Sequence, residues 1–217
     1  QNHEEQSSII EKELIAILER HGDNRRTEII PFTGELSLED MIADENMVVT
    51  ITHNGYIKRL AADTWKTQRR GGKGMKGAKT QEDDFVEHLF IASTHDTMLF
   101  FTDKGKCHWL KVHQIPQTNR TSQGRAIVNL IGCESGEKVK AFVSVKEFTD
   151  ENYIIMATKN GMINRTSLAL YSKPRKGGVY AMEIKDGDEL IQAKISNGQD
   201  NIIMATKDGK SIRFREE

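Results

Sequence analysis

Gln68-Arg69-Arg70-Gly71-Gly72-Lys73-Gly74, followed by Lys76 and Lys79, concentrates the chemistry of this chain. Five basic side chains and no acidic one lie between Gln68 and Lys79. Glycine lets a backbone approach a flat charged surface with no Cβ in the way, and it takes positive φ at little cost. Arginine and lysine give charge-assisted hydrogen bonds to phosphate oxygens, and the planar arginine fork is especially suited to them. The stretch therefore reads as a phosphate-gripping turn, with nucleic acid as the obvious source of phosphates. A Walker-type nucleotide loop would need Gly-Lys-Ser/Thr, whereas Lys73 is followed by Gly74. A solvated flexible loop is the plain alternative for such a run, and repetition elsewhere in the chain weighs against it.

Other reactive groups are sparse. His108 and His113 have no acidic or cysteine partners at ligand spacing, which argues against a zinc site and leaves the expectation of no metal. Glu82, Asp83, Asp84, Glu87 and His88 form an acidic run that reads as a solvated approach to a strand, ahead of a metal cluster. Cys107 and Cys133 are the only cysteines, without paired metal spacing, so a reducing cytoplasm fits.

At 217 residues the chain suits one sizeable domain with an appendage. No apolar run approaches the roughly 18 residues of a membrane span, and polar Gln1 to Ser8 does not resemble a signal peptide. The net charge of −1 hides a split. Residues 1–46 hold 4 basic and 12 acidic side chains, net −8, and residues 47–217 hold 27 and 20, net +7. A modest excess of that kind makes a strong stripe when it is concentrated on one face.

The elements that must carry these residues recur. Ser8-x-x-Glu11 is a capping-box pattern, and Ile10, Leu14, Ile17 and Leu18 share one stripe, so residues 8–21 predict an amphipathic helix ended by Gly22. Residues 25–46 read as a connector with one strand at Thr27–Ile30. From Met47 the chain repeats Thr52-His53-Asn54-Gly55 as Thr102-Asp103-Lys104-Gly105, Thr158-Lys159-Asn160-Gly161 and Thr206-Lys207-Asp208-Gly209. Each follows an apolar strand and precedes a second, and each tip predicts a two-residue type I′ hairpin with turn chemistry as the whole role of its Thr and Gly. The glycines are 50, 56 and 48 residues apart, and a weaker register links Gly74, Gly124 and Gly178. Further strands are expected at Phe85–Ala92, Val139–Val145 and Leu190–Ile195. A period near 50 residues with a hairpin per unit predicts an all-β propeller or pinwheel of four-stranded blades. Four repeats are visible, the last unfinished at Glu217.

Basic residues follow the same period. Arg59, Arg165 and Arg213 stand four residues after their hairpin glycines, with Trp109 at the remaining position. Lys173-Pro174-Arg175-Lys176-Gly177-Gly178 is a fainter echo of the Gln68–Gly74 box. Lys58, Arg59, Lys66, Lys76, Lys79, Lys106, Arg120, Arg125, Arg165, Lys173, Arg175, Lys176 and Arg213 are thus the candidate phosphate contacts around the rim of a disc.

Gln68–Gly74 resembles the signature box of the DNA gyrase A C-terminal domain family. Gly22-Asp23-Asn24-Arg25-Arg26-Thr27-Glu28-Ile29 is similar to that family's exit from its coiled coil, and His53-Asn54-Gly55-Tyr56-Ile57-Lys58-Arg59 to the hairpin before the box. The resemblance covers essentially the whole chain. It implies that residues 1–24 end a coiled-coil helix, that 25–46 connect, and that 47–217 are part of a six-bladed pinwheel. It implies wrapping of duplex DNA, in a bacterial cytoplasm at the nucleoid, in support of negative supercoiling. The partners implied are the gyrase B subunit, a second gyrase A subunit, and DNA itself. ATP and magnesium would serve the holoenzyme, with no cofactor on this chain. Type II topoisomerases cut with a tyrosine that follows an arginine, and none of Tyr56, Tyr153, Tyr171 or Tyr180 does, so no catalysis is expected here. A topoisomerase IV-like bending domain is the nearest alternative, and the intact box argues against it. A protein-interaction propeller lacks its Trp-Asp or kelch glycine signature, and a propeller hydrolase lacks converging acids or a nucleophile.

Overall fold

The computed structural model describes residues 3–23, 26–27, 38–64, 70–72 and 84–216, which fall into two compact units divided at Ser37 and Leu38. The first unit holds one helix, α1 (His3–His21). It begins five residues before the expected start at Ser8, because Glu4 and Glu5 suit the positive end of the helix dipole, as Arg20 and His21 suit the negative end. Gly22 follows it directly, and its N–H makes the last helical bond, to the Leu18 carbonyl at 2.8 Å. Ile10, Leu14, Ile17 and Leu18 are exposed. The expected strand at Thr27–Ile30 lies largely outside the described residues.

The second unit is built from hairpins. Its strands are β1 (Asn46–Thr52), β2 (Tyr56–Ala61), β3 (Val86–Ser93), β4 (Thr97–Thr102), β5 (Lys106–Lys111) and β6 (Arg125–Ala126). They continue with β7 (Val139–Val145), β8 (Tyr153–Thr158), β9 (Ile163–Ser167), β10 (Val179–Tyr180), β11 (Leu190–Ser196), β12 (Asn201–Ala205) and β13 (Ser211–Arg215). A five-residue helix, α2 (Ile127–Ile131), follows β6. The expected strands after Met47 all form, within a residue or two of their expected ends. β6, β10 and α2 were not expected. The blades have strand orders β3-β1-β2-β6, β10-β5-β4-β7, β11-β8-β9 and β12-β13.

Strand exchange sets this order. β6 lies in sequence after the second hairpin yet pairs back on β2, with Ile57 opposite Arg125, and β10 follows the third hairpin and pairs back on β5. The second glycine register explains how. A Cβ on Gly124 would lie 2.5 Å from the Ile57 carbonyl oxygen, and one on Gly178 would lie 2.9 Å from that of Cys107. Each glycine marks where a returning segment meets the previous blade's backbone too closely for any side chain.

The hairpin tips differ from the expected type I′ turn, which needs positive φ at both central residues. Among the described residues only glycines have positive φ. Gly55 donates to the Thr52 carbonyl at 2.9 Å while standing at φ 78°, so the tip is a type I turn closed by a left-handed glycine. The threonine completes it. Its Oγ1 accepts the N–H of the residue after the glycine in all four repeats, at 3.1–3.3 Å. Asp84 and Asp188 then pin the first and third tips, each Oδ1 accepting a tip N–H, from Asn54 at 3.0 Å and from Asn160 at 2.9 Å.

Burial follows from the stacking of blades. β4 is buried at every position: Met98 and Phe100 pack with Val49, Ile57 and Ile115 of one cluster, and Leu99 and Phe101 pack with Ile154, Met156 and Leu190 of the next. Alternating side chains of one strand thus fill two cores, which is why it reads as a continuous apolar run.

Alanine at two glycines separates backbone strain from close approach. Gly136 has φ +83° with nothing within 4 Å of where a methyl group would sit, so Gly136→Ala should carry only left-handed strain, about 1–3 kcal/mol. Gly124→Ala adds the clash with Ile57 and should lower the melting midpoint at least twice as far. Equal midpoints for the two variants would refute the close-approach role.

Candidate nucleic-acid interface

The segment from Val112 to Ala126 crosses from the second blade onto the β2 edge of the first. It opens with a 3-10 turn, Val112–Gln114, and bridges Arg59 to Gln117. The Arg59 N–H donates to the Pro116 carbonyl at 3.0 Å, and the Thr118 N–H to the Arg59 carbonyl at 3.3 Å. The chain then arches away from β2 before Gly124 returns it as β6. In the second blade the corresponding arch is 172–178, turned by a Gly178 N–H to Arg175 carbonyl bond of 3.1 Å and landing as β10.

These arches sort the basic residues into two groups. Lys58 is only 1% exposed, and its Nζ donates to the carbonyls of Arg120 at 2.6 Å, Ser122 at 2.7 Å and Asn119 at 3.4 Å. Burial lowers its pKa from the ordinary lysine value. Arg59 gives Nε to the Ile115 carbonyl at 2.7 Å and Nη2 to that of His113 at 3.1 Å, and burial lowers its pKa against the opposing field of Glu45. Lys106 is buried, hydrogen-bonded to Glu134 at 2.6 Å, with its Nζ 5.4 Å from the centre of the Tyr180 ring. That hydrogen bond, foremost among the causes, raises its pKa. Lys58 and Lys106, buried and with their ammonium groups held by the protein's own carbonyls and carboxylates, are therefore corrected from rim contacts to internal staples, whereas half-buried Arg59 has only Nε and Nη2 engaged.

The position four residues after the hairpin glycine shows the same logic. Trp109, which stands where Arg59 does, donates Nε1 to the Tyr171 carbonyl at 2.8 Å. Arg165 donates Nη1 to the Glu216 carbonyl at 3.2 Å, with its guanidinium 4.7 Å from the Tyr153 ring centre. In the first three repeats this position staples its blade to a later segment. Arg165 nevertheless stays exposed, as does Arg213, whose Nε meets Asn201 Oδ1 at 3.3 Å.

The second group faces water. Arg125 is exposed at the landing of the first arch, and Arg120 is half-buried within it. Lys173, Arg175 and Lys176 are all exposed on the second arch. Of the box, Arg70, Gly71 and Gly72 are described and exposed, with Gly71 at φ 85°. Gln68, Arg69, Lys73, Gly74, Lys66, Lys76 and Lys79 lie outside the described residues. The acidic run expected to be solvated is partly structural, since Asp84 is 6% exposed and holds a hairpin tip, while Glu82 and Asp83 lie outside the described residues.

The arrangement offers two guanidinium- and ammonium-bearing arches at successive strand-exchange points, each fixed by a buried glycine contact. Such groups can grip phosphates, contacts that fix position and carry no sequence information. Sequence reasoning missed the burial of Lys58 and Lys106. The one available signal was their position inside β-strands, where every second side chain points into a core.

Among the described residues no helix is long and apolar enough to cross a membrane. A family model described as DNA gyrase C-terminal domain, beta-propeller, matches residues 46–93, 96–145, 152–197 and 200–217, which are the four hairpin repeats. The DNA gyrase A subunit of Clostridium acetobutylicum is 45% identical over 96% of this chain, and that of Halalkalibacterium halodurans is 41% identical over 99%. The chain spans only 25% and 26% of those relatives' lengths. Among solved structures, a C-terminal domain of DNA topoisomerase IV superposes with a TM-score of 0.69 at 25% identity, covering 81% of this chain and 53% of that one. A DNA gyrase A C-terminal domain superposes with a TM-score of 0.60 at 27% identity, covering 79% and 55%. Repeat by repeat, from residue 46 onward, the chain belongs to the DNA gyrase C-terminal domain family of β-propellers.

Proposed function

We propose that this chain binds and wraps duplex DNA through its phosphates, along the edges where successive blades exchange strands. The observation that carries the reading is the pair of basic arches, one with half-buried Arg120 and exposed Arg125 and the other with exposed Lys173, Arg175 and Lys176, in the sequence register of the box. Gly74, Gly124 and Gly178 share that register, so Gln68–Gly74 supplies a third and more basic member. Arg165 and Arg213 extend the set. Bending 20–30 bp smoothly by 40–90° costs on the order of 1–6 kcal/mol, which several such contacts offset. Kinship with DNA gyrase A subunits supports a setting within an ATP- and magnesium-dependent type II topoisomerase. There the wrapped segment is presented to a cutting core completed by the gyrase B subunit, with a second gyrase A subunit, at the bacterial nucleoid. Negative supercoils result. A topoisomerase IV-like bending role without wrapping is the second reading, favoured by the superposition on that enzyme's domain.

Two sets of variants test this. Changing Arg69, Arg70 and Lys73 together to Ala should abolish wrapping before binding, and lower the salt slope of log K by roughly 2–3 at about 0.9 per phosphate contact. In the whole enzyme that variant should relax DNA yet fail to introduce negative supercoils into closed circles with ATP. Normal supercoiling by it would make the box a solvated linker and end the proposal.

The second set separates the two groups of cations. Lys173→Ala with Arg175→Ala and Lys176→Ala should lower the salt slope and leave the melting midpoint unchanged. Lys58→Met should do the reverse, at about 1–3 kcal/mol for unsatisfied buried carbonyls. A salt slope lowered by Lys58→Met at unchanged stability would return that residue to the DNA contacts.

A further inference from the structure

The second blade breaks a rule that the first and third obey. In those blades an aspartate, Asp84 or Asp188, stands just before the strand beside the hairpin and caps the tip N–H groups. The residue in that register in the second blade is Glu137: the next carbonyl along, from Lys138, accepts the Asp103 N–H at 2.8 Å, as the Phe85 carbonyl accepts from His53. The tip is tied to that strand instead by Asp103, whose Oδ1 accepts the Lys138 N–H at 3.0 Å. Glu137 is released from the tip, and its side chain is fully buried.

Its surroundings are unusual for a buried carboxylate. Oε2 accepts the Glu134 N–H at 2.9 Å, while Oε1 has no hydrogen-bond partner. The nearest ammonium, Lys106 Nζ, is 3.7 Å away and bonds to Glu134 instead. His108 Nε2 lies 4.0 Å from Glu137 Oε2, is likewise without a partner, and belongs to a residue 3% exposed. Cys133 completes the group, with its sulfur and the other two ligand atoms all within 4.8 Å of one another. α2 delivers that cysteine: Gly132 ends the helix at φ 65°, and the Cys133 N–H returns to the Val128 carbonyl at 3.2 Å.

We propose that His108, Cys133 and Glu137 form a site for a divalent transition-metal ion of the zinc type, bound by imidazole, thiolate and carboxylate with a fourth position for water. The donor set is one that zinc accepts, with metal–ligand distances of about 2.0–2.3 Å that place tetrahedral ligands roughly 3.3–3.8 Å apart. The three atoms close to that spacing with shifts of about 1 Å. His108 Nε2 and Glu137 Oε1 are both buried without a hydrogen-bond partner, and a bound ion would satisfy such atoms. The Cys133 thiol proton leaves to solvent as the metal binds. Cys133 is half-exposed, which gives the ion access. Bound there, the metal ties the segment between α2 and β7 to β5. The proposal does not depend on DNA binding.

Titration of the full chain with Co2+ and then Zn2+, in a reductant that does not bind metal, tests it. One equivalent of Co2+ should produce a thiolate charge-transfer band that Zn2+ abolishes, and Zn2+ should raise the melting midpoint. Cys133→Ser should remove the band, Glu137→Gln should weaken Co2+ affinity at least tenfold, and Cys107→Ala should keep the band. Circular dichroism of each variant, and the wild-type titration itself, keep a folding defect distinguishable. A wild-type chain with neither band nor midpoint shift, or a band that survives Cys133→Ser, would overturn the site.

Discussion

A blade of two or three strands leaves one row of backbone N–H and C=O groups without partners, and everything else in this domain follows from how that row is closed. Unpaired edges invite association with other chains, and buried unpaired amides cost free energy. Here the edge of one repeat is closed by a short strand from a later one, β6 on β2 and β10 on β5. Each blade closed in this way is incomplete until a later repeat folds against it. The two cores make the same point, since β4 contributes Met98 and Phe100 to one and Leu99 and Phe101 to the other.

Closure by a distant segment demands that the segment be held. Lys58 answers with three carbonyl contacts under the first arch, and Arg59 and Trp109 answer with donors to the ends of 3-10 turns. A buried ammonium surrounded by carbonyls keeps its charge-assisted bonds where no water competes. Basic residues thus serve two ends in this fold. Some are consumed in shaping the arches, and the shaped arches display the others to solvent.

The repeats are similar without being equivalent. His108 stands in the register of Lys58, three residues after the hairpin glycine, yet an imidazole there meets Glu137 and Cys133 where the ammonium meets carbonyls. Glu137 itself replaces the aspartate that caps the neighbouring blades. One extra methylene lets its carboxylate leave the hairpin tip for the interior. Divergence at matched positions is how a repeated scaffold acquires a local chemistry that its other copies lack.

By itself the sequence determined the hairpin period, nearly every long strand, the role of the repeated Thr and Gly in turns, and the concentration of basic charge after Met47. These are local properties: a left-handed glycine, a two-residue alternation and a turn hydroxyl act within a few residues of themselves. What the tertiary structure decided is everything that joins residues far apart. Lys58 meets Arg120 across 62 positions, and β10 reaches β5 across a whole hairpin repeat. The two-residue strands β6 and β10 carry no periodicity of their own, because pairing to a ready-made edge forms them and their own side chains do not. His108, Cys133 and Glu137 share no ligand spacing along the chain, and only the crossing of α2 over β5 brings them together. Whether a lysine becomes a buried staple or stays at the surface is settled the same way, by which face of its strand or arch the completed blade covers.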